Sequence, residues 1–301
     1  MVLQNMIPIS LTPFDQDGAL DPVSIPTLTE FYRQSGASAL IVLGIMGEAH
    51  ALSDQEREQV IHYYVEASGT LPVIATVSAP ATEVAVERAR RAQQLGASAL
   101  MVAPPAGVQD PALLRRHFER VAAATDLPWV LQDEPVTTGV RLSVDFIRML
   151  SESVPTLQAI KVEEVPTASK AAAIHRMLPG LKIFGGLGGL YLLEELVHGA
   201  SGSMTGFSYP DILEAVITRY QAEGVEAARP LFYQYLPLIR YEAQLGVKGI
   251  AIRKALFYRR GLITAPTVRA PSAPADPVIT DDLVDLVRAL GLPLGPAESA
   301  V

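Results

Sequence analysis

A nine-residue segment recurs in the sequence, and the spacing of its copies restricts the folds that the chain can adopt. Residues 36–44 (GASALIVLG) return sixty positions later as residues 96–104 (GASALMVAP), and residues 199–206 (GASGSMTG) form a looser third copy. Each copy follows a helix-like stretch, with a glycine that suits a helix C-cap and an apolar run that suits a strand buried on both faces. Because one strand–helix unit takes roughly 30 residues, the repeat predicts strands and helices in regular alternation.

Five further apolar runs fit this rhythm and bring the predicted strands to eight: residues 7–12, 73–77, 129–132, 159–161 and 182–185. Helical patterns lie between the strands at residues 22–35, 54–68, 81–95, 111–125, 144–151, 168–177 and 191–198. Ser53 and Glu56 have the spacing of a capping box at the start of the second of these helices. Eight short strands that alternate with helices are typical of an α/β fold of the (β/α)8 TIM barrel type.

An open doubly wound sheet is the alternative to a barrel. Such a sheet normally carries a glycine-rich dinucleotide loop after its first strand. Here the first predicted strand is followed only by a turn at residues 15–18 (DQDG). The sequence therefore favours the closed barrel.

The last third of the chain has helical rather than strand-like patterns. Helices are predicted at residues 211–223, 226–245, 248–260 and 281–290, with an extended crossing at residues 268–277. We predict a barrel over residues 1–208 and a C-terminal helical extension over residues 209–301. The extension is expected to pack on the barrel, and a neighbouring subunit is the other surface that it could cover.

Composition excludes several classes of protein. A hydrophobic content of 49% is enough for a large core, and a net charge of −8 argues against a nucleic-acid partner. The absence of cysteine excludes disulfides and thiolate chemistry, and no cluster of Asp, Glu and His predicts a metal site. The sequence shows no signal-peptide pattern and no apolar run long enough for a membrane span. We therefore expect a cytoplasmic protein without a membrane or nucleic-acid partner.

Lys161 is the candidate reactive residue. It closes an apolar strand in a chain that has five lysines and nineteen arginines. An ammonium group is costly to bury unless it is paired, and burial lowers its pKa. A lysine that is neutral for part of the time is a nucleophile for carbonyl carbon. A structural lysine paired with Glu163 or Glu164 is the alternative interpretation.

The segments at the carboxyl ends of the predicted strands resemble, in their sequence and order, those of the dihydrodipicolinate synthase and N-acetylneuraminate lyase family of class I aldolases. Residues 44–57 (GIMGEAHALSDQER) resemble the family signature GTTGE-x-x-x-LS-x-x-ER, and the similarity continues at residues 12–14, 132–135 and 199–205. The resemblance implies that Lys161 condenses with the ketone of pyruvate or another 2-oxo acid. It implies no cofactor, because the protonated imine is itself the electron sink. It also implies a homo-oligomer, either a dimer or a tetramer built from two tight dimers.

Several positions depart from the family pattern. Ile45 and Met46 replace the two hydroxyl residues of the signature loop, and Ala106 and Gln132 replace the two tyrosines of the synthase's proton relay. Thr137 stands where an arginine often follows the strand-five proline. Because that relay is missing, the resemblance argues against dihydrodipicolinate synthesis itself.

A substitute acid–base group is needed, since glutamine cannot transfer protons. Glu134 is the first choice because it follows strand five directly, and Asp133, Glu163 and Glu48 are the other candidates. The loop after strand two can still offer backbone amides to a carboxylate, although Ile45 and Met46 make the entrance of the site apolar. The predicted substrate-binding residues are Ile45, Met46, Gly47, Gln132, Gly186 and Met204.

These expectations lead to one favoured function and two alternatives. The favoured function is a Schiff-base-forming lyase, an aldolase or dehydratase, that acts on a 2-oxo acid such as pyruvate or a 2-keto-3-deoxy sugar acid. The first alternative is a catalytically altered family member that binds a small metabolite as a sensor. The second is another imine-based reaction, such as decarboxylation or hydration.

Overall fold

Eight parallel strands form the wall of a barrel in the computed structural model, which describes residues 3–295 and, of residue 247, the backbone only. The strands are β1 (Asn5–Pro8), β2 (Leu40–Val42), β3 (Val73–Thr76), β4 (Ala99–Val102), β5 (Trp129–Asp133), β6 (Leu157–Val162), β7 (Lys182–Gly185) and β8 (Gly202–Thr205). Consecutive strands from β2 to β8 pair in order, and β1 pairs with β8. A bridge between Ile9 and Ile41 brings the first two strands together. The predicted (β/α)8 barrel is confirmed.

Strand boundaries agree with the prediction except at the first strand. Residues 7–12 were expected to be extended, but β1 covers Asn5–Pro8 and Ile9 makes only an isolated bridge. The reason is the length of its neighbour, because β8 ends at Thr205, which pairs with Pro8. Regular strand pairing therefore stops at Pro8, although the amides of Ile9 and Ser10 still donate to the carbonyls of Thr205 and Ile41.

The interior of the barrel is apolar and is built from alternate residues of the strands. Side chains of a strand point to opposite faces in turn, so one set faces inward and the other faces the helices. The inward set packs into a single cluster: Leu3, Ile7, Ile9, Ala39, Ile41, Ile74, Ala99, Met101, Val130, Ala159, Phe184 and Met204. This layer closes the barrel below the carboxyl ends of the strands.

Helices surround the barrel in the order that the sequence predicts. They are α1 (Ser24–Gln34), α2 (Asp54–Ser68), α3 (Thr82–Gln94), α4 (Pro111–Ala122), α5 (Pro135–Thr138), α6 (Val144–Ser153), α7 (Thr167–Met177) and α8 (Leu192–Val197). The capping box at α2 is confirmed, since the Ser53 hydroxyl accepts from the Glu56 amide while the Glu56 carboxylate accepts from the Ser53 amide. The single-turn helix α5 was not predicted.

The C-terminal helices pack against the barrel. They are α9 (Pro210–Glu223), α10 (Val225–Ala243), α11 (Gly249–Arg259) and α12 (Pro277–Ala289). Their apolar side chains share one cluster with Met6 of β1 and Leu193 of α8. Helix α12 begins four residues before its predicted start because Asp276 caps it and Pro277 occupies its first turn.

The division of the chain at residue 208 stays a prediction, and residues 1–2 and 296–301 of the two predicted units lie outside the described residues. Between residues 3 and 295, no helix combines the length and the apolar character that crossing a membrane requires.

Candidate active site

Lys161 lies at the mouth of the barrel, above the apolar interior. It is two positions after Ala159 on β6, so both side chains face inward. The residue is only 3% exposed, and its Nζ lies 2.8 Å from Oε2 of Glu163. The pairing with Glu163 compensates the cost of burying the ammonium group.

Glu163 follows β6 and is fixed by two neighbours from other strands. Its Oε2 accepts a hydrogen bond from Nε2 of Gln132 at 3.0 Å. The next strand approaches it through Gly186, where a Cβ atom would lie 2.4 Å from Cγ of Glu163. A larger residue at position 186 would therefore have to displace the Glu163 side chain. Both Gln132 and Gly186 thus act on Lys161 through the position of the Glu163 carboxylate.

A cavity of about 210 Å³ opens beside Lys161. This volume suits a small metabolite rather than a large cofactor. Five of the eight predicted site residues line it: Lys161, Glu134, Ile45, Met46 and Gln132. The sequence therefore placed these five side chains in one site, although their distance along the chain exceeds one hundred residues.

The other three predicted site residues lie outside the lining of this cavity. Met204 points into the apolar interior, and the two residues that follow it, Thr205 and Gly206, do line the cavity. The carbonyl of Gly47 accepts a hydrogen bond from the Thr12 hydroxyl at 2.6 Å, which fastens the loop after β2. Gly186 gives space to Glu163. The predicted contact of these three residues with a substrate stays untested.

Glu134 is engaged in holding α5. It is the N-cap of this helix, and its Oε2 accepts from the Thr137 amide at 3.0 Å and from the Thr137 hydroxyl. Glu134 lines the cavity, but the carboxylate that contacts the Lys161 amine is that of Glu163. The predicted role of Glu134 as the base remains a prediction.

Asp133 faces away from the cavity. It alternates with Gln132 on β5, so its side chain points towards the helices, where Lys170 of α7 lies 2.7 Å away. Burial raises the pKa of Asp133 to about 6, against the opposing effect of Lys170. This carboxylate therefore belongs to the outer layer of the fold.

Glu48 forms a second buried pair, with Lys254 of α11. Their Nζ and Oε1 atoms lie 2.5 Å apart and neither side chain is exposed. The other carboxylate oxygen of Glu48 accepts from the Arg269 amide at 3.0 Å. Glu48 thus contacts a buried cation and a backbone amide, and it is not part of the lining of the cavity beside Lys161. Burial lowers the pKa of Lys254 to about 8.

Sequence reasoning missed two charged residues that line the cavity. Arg253 of α11 and Glu242 of α10 reach it from the C-terminal helices. Strand-end arguments cannot find residues that arrive from outside the barrel. One signal was present, because Arg253 and Lys254 are adjacent charged residues with apolar residues on both sides, at 250–252 and 255–257.

The fold and the site together define a class of protein. A (β/α)8 barrel with a buried lysine and a partner carboxylate at its mouth is a lyase of the class I aldolase type. The model of the Dihydrodipicolinate synthetase family matches residues 2–290, and the chain belongs to this family.

Relatives of the chain include enzymes with different names. The chain is 30% identical over 295 residues to an L-2-keto-3-deoxyarabonate dehydratase of Azospirillum brasilense, covering 95% of this chain and 94% of that protein. It is 34% identical over 267 residues to a 4-hydroxy-tetrahydrodipicolinate synthase of Methylococcus capsulatus, covering 87% and 90%. The crystal structure of a dihydrodipicolinate synthase from Rhodopseudomonas palustris superposes with a TM-score of 0.90 at 34% identity, covering 95% of this chain and 97% of that one.

Proposed function

We propose that this chain is a Schiff-base-forming lyase that acts on a 2-oxo acid, either pyruvate or a 2-keto-3-deoxy sugar acid, through Lys161. One observation carries the proposal. The Lys161 amine is buried at the end of β6, faces a cavity and lies 2.8 Å from the Glu163 carboxylate. A nucleophile and a proton acceptor thus stand side by side at the catalytic end of a barrel.

The first step is formation of the imine. Glu163 takes a proton from the Lys161 ammonium, and the free amine attacks the ketone carbon of the substrate. The carbinolamine then loses its oxygen as water, with Glu163 returning the proton that the leaving hydroxyl requires. The product is a protonated imine between Nζ and C2, and it withdraws electrons from C3.

The second step depends on the substituents at C3 and C4. In a dehydration, a base removes a C3 proton to give the enamine, and the C4 hydroxyl then leaves as water. In an aldol cleavage, the C4 hydroxyl loses its proton and the C3–C4 bond breaks to release an aldehyde and leave an enamine, which takes up a proton at C3. In both reactions water then hydrolyses the imine, which frees the product and restores the Lys161 amine. We assign these transfers to Glu163, whose carboxylate accepts a hydrogen bond from Gln132 and lines the cavity.

The residues at the mouth favour a reaction other than dihydrodipicolinate synthesis. Ile45, Met46 and Gln132 line the cavity where the synthase pattern has two hydroxyl residues and a tyrosine, and the exposed Ala106 stands for the second tyrosine. Dehydration of a 2-keto-3-deoxy sugar acid is the reaction named for the Azospirillum brasilense relative. The Glu163 carboxylate, 2.8 Å from the Lys161 amine, can serve as the acid–base group of such a dehydration.

The sensor alternative is not favoured, because a chain that had given up imine chemistry would not need a lysine–carboxylate pair facing a cavity. Decarboxylation and hydration use the same imine, so the nature of the product decides between them and the favoured reactions.

Borohydride trapping tests the central step. The protein is incubated with pyruvate and sodium borohydride and then analysed by intact mass and peptide mapping. We expect a reduced pyruvyl adduct on Lys161, its loss in Lys161→Arg, and its retention in Lys182→Arg, which changes an exposed lysine on β7. No adduct with any member of a panel of 2-oxo acids would overturn the proposal.

Product analysis then assigns the reaction. Incubation with 2-keto-3-deoxyarabonate, followed by proton NMR, distinguishes loss of water from release of pyruvate and an aldehyde. We expect loss of water. Pyruvate with an equimolar aldehyde would assign aldol cleavage instead.

We propose three broader properties together with this function. A homo-oligomer, a dimer or tetramer, is expected from the family pattern and is tested by light scattering. A cytoplasmic location is tested by cell fractionation. The division into a barrel (1–208) and an extension (209–301) is tested by limited proteolysis.

A further inference from the structure

Arg253 is a buried cation at the cavity that the proposed reaction does not yet use. It extends from α11 and is only 4% exposed. Its Nε lies 2.8 Å from Oε2 of Glu242, and its Nη1 lies 3.0 Å from the sulfur of Met46. Arg253, Met46 and Lys161 all line the same cavity.

Glu242 fixes one edge of this guanidinium group. Its Oε2 accepts from the amide and the hydroxyl of Ser208, at 3.2 and 3.0 Å, in addition to Arg253. The carboxylate is thus held by α10 and by the segment after β8. The position of the guanidinium is therefore set before any ligand binds.

The other edge of the guanidinium meets a weak acceptor. A thioether sulfur accepts hydrogen bonds poorly, whereas a guanidinium forms its strongest hydrogen bonds with carboxylates, often in pairs. Because its present acceptor is weak, Nη1 can still donate a stronger hydrogen bond to a carboxylate that binds in the cavity.

Gly206 leaves the space in which these groups meet. A Cβ atom at this position would lie 2.8 Å from Cγ of Met46 and 3.3 Å from Nη1 of Arg253. The glycine follows β8, so Arg253 approaches the mouth of the barrel over the end of that strand. The approach brings a cation to the loop after β2, where the family's hydroxyl residues are replaced.

We propose that Arg253 binds the C1 carboxylate of the 2-oxo acid whose ketone condenses with Lys161. The assignment rests on the proposed function, because one substrate molecule is bound by Arg253 through its carboxylate and by Lys161 through its ketone. It replaces the two hydroxyls that Ile45 and Met46 lack with a charge supplied by the C-terminal helices. The site then selects carboxylates with an adjacent ketone and disfavours uncharged ketones.

The test compares pyruvate with methyl pyruvate, which keeps the ketone and loses the charge. Borohydride trapping on Lys161 is measured against ligand concentration in wild type, Arg253→Gln and Arg253→Lys. We expect Arg253→Gln to raise the pyruvate concentration for half-maximal trapping by about 30-fold and to leave that for methyl pyruvate within about threefold. The pyruvate concentration for half-maximal trapping of Arg253→Lys should lie between those of wild type and Arg253→Gln, because lysine keeps the charge but cannot form paired hydrogen bonds with a carboxylate.

Two variants control for charge and for folding. Arg259→Gln removes a charge from the exposed face of the same helix and should behave as wild type. The double variant Arg253→Gln and Glu242→Gln removes the buried pair without leaving a lone carboxylate, and should show the same loss for pyruvate. Equal shifts for pyruvate and methyl pyruvate, or no shift for either, would overturn the proposal.

Lactate separates the two hypotheses. It has the carboxylate of pyruvate but no ketone, so it cannot form an imine. Saturation-transfer NMR should show binding of lactate to wild type and Arg259→Gln, and weaker binding to Arg253→Gln. If no 2-oxo acid is trapped, the proposed function fails while lactate binding still reports on Arg253. Binding of lactate that does not depend on Arg253, or no binding, would overturn the carboxylate site.

Discussion

Two lysine–glutamate pairs are buried near the mouth of the barrel, and their surroundings differ. In one, Lys161 lies 2.8 Å from Glu163 and faces a cavity. In the other, Lys254 lies 2.5 Å from Glu48 and is enclosed, with the Phe14 ring centroid 4.0 Å from its Nζ. The first pair has room for another molecule beside its amine, and the second does not.

The difference shows that burial alone does not mark a reactive lysine. Burial lowers the pKa of Lys254 to about 8, which makes its amine easier to deprotonate. Its Nζ nevertheless donates to the carbonyl of Thr267 at 2.8 Å and pairs with Glu48, so a carbonyl carbon cannot approach. Lys161 is the better candidate because space, and not charge alone, is present beside it.

The largest expected effect concerns the rate of imine formation. Glu163→Gln should slow trapping of pyruvate by about 10²- to 10⁴-fold, because general acid–base groups contribute on that order. The double variant Lys254→Met and Glu48→Gln, which removes the enclosed pair, should keep the wild-type rate. Glu134→Gln should slow the reaction less than about tenfold on the same scale. A larger loss in Glu134→Gln than in Glu163→Gln would return the base to Glu134.

The next effect concerns stability. Lys254→Met leaves the Glu48 carboxylate buried without its cation, which should lower the free energy of unfolding by about 3–5 kcal/mol in urea denaturation. Lys161→Met should cost only about 1 kcal/mol, because Glu163 keeps the Gln132 amide and borders a cavity that admits water. Equal losses in the two variants would show that the pairs do not differ in this way.

The enclosed pair should also give stability a pH dependence. The pKa of Lys254 is about 8 in the folded chain and 10.5 ordinarily, so between these values the unfolded chain binds more protons. The free energy of unfolding should therefore gain about 3 kcal/mol from this group as pH rises through that window, and lose it as pH falls back to 8.

Urea denaturation from pH 8 to 10.5 measures this gain as the difference between wild type and the double variant Lys254→Met and Glu48→Gln. The difference is needed because tyrosines that unfolding exposes titrate near the top of the range, with an ordinary pKa of about 10, whereas burial raises the pKa of Tyr32 to about 12 in the folded chain. The same pH dependence in both proteins would contradict the assignment to Lys254.

The smallest effect concerns the loop after β2, which borders the cavity beside the Lys161–Glu163 pair. Met46→Thr restores a hydroxyl and removes the sulfur that contacts Arg253. One added hydrogen bond to a carboxylate should tighten binding of 2-oxo acids by about fivefold. Trapping of pyruvate at graded concentrations measures it, with Met177→Thr, a change on the exposed end of α7, as the control. Unchanged or weaker binding would count against a carboxylate site at this loop.

The sequence predicted the barrel because its strands and helices follow simple periods, and the repeat gave their spacing. It missed the true end of the first strand, since that end depends on the length of β8. It also missed the helix that Glu134 caps, because a single turn has no periodic pattern.

In the site, the alternation of strand residues placed Lys161 at the mouth. The same alternation extends to Glu163, two residues later, so its position beside Lys161 could have been given more weight than that of Glu134. Arg253 could not be placed from the sequence. Its contact with Met46 spans 207 positions and depends on how α11 packs against the barrel.

The composition of the cavity has a consequence for protein synthesis. The wall residue Lys161 is made 92 positions before Arg253, which arrives with one of the last helices. A ribosome therefore completes all eight strands before it supplies the cation that closes the site. A nascent chain that stalls after β8 would carry the amine without its finished pocket, and the same holds for a prematurely terminated product. The lining of this cavity is therefore complete only after α11 has been made.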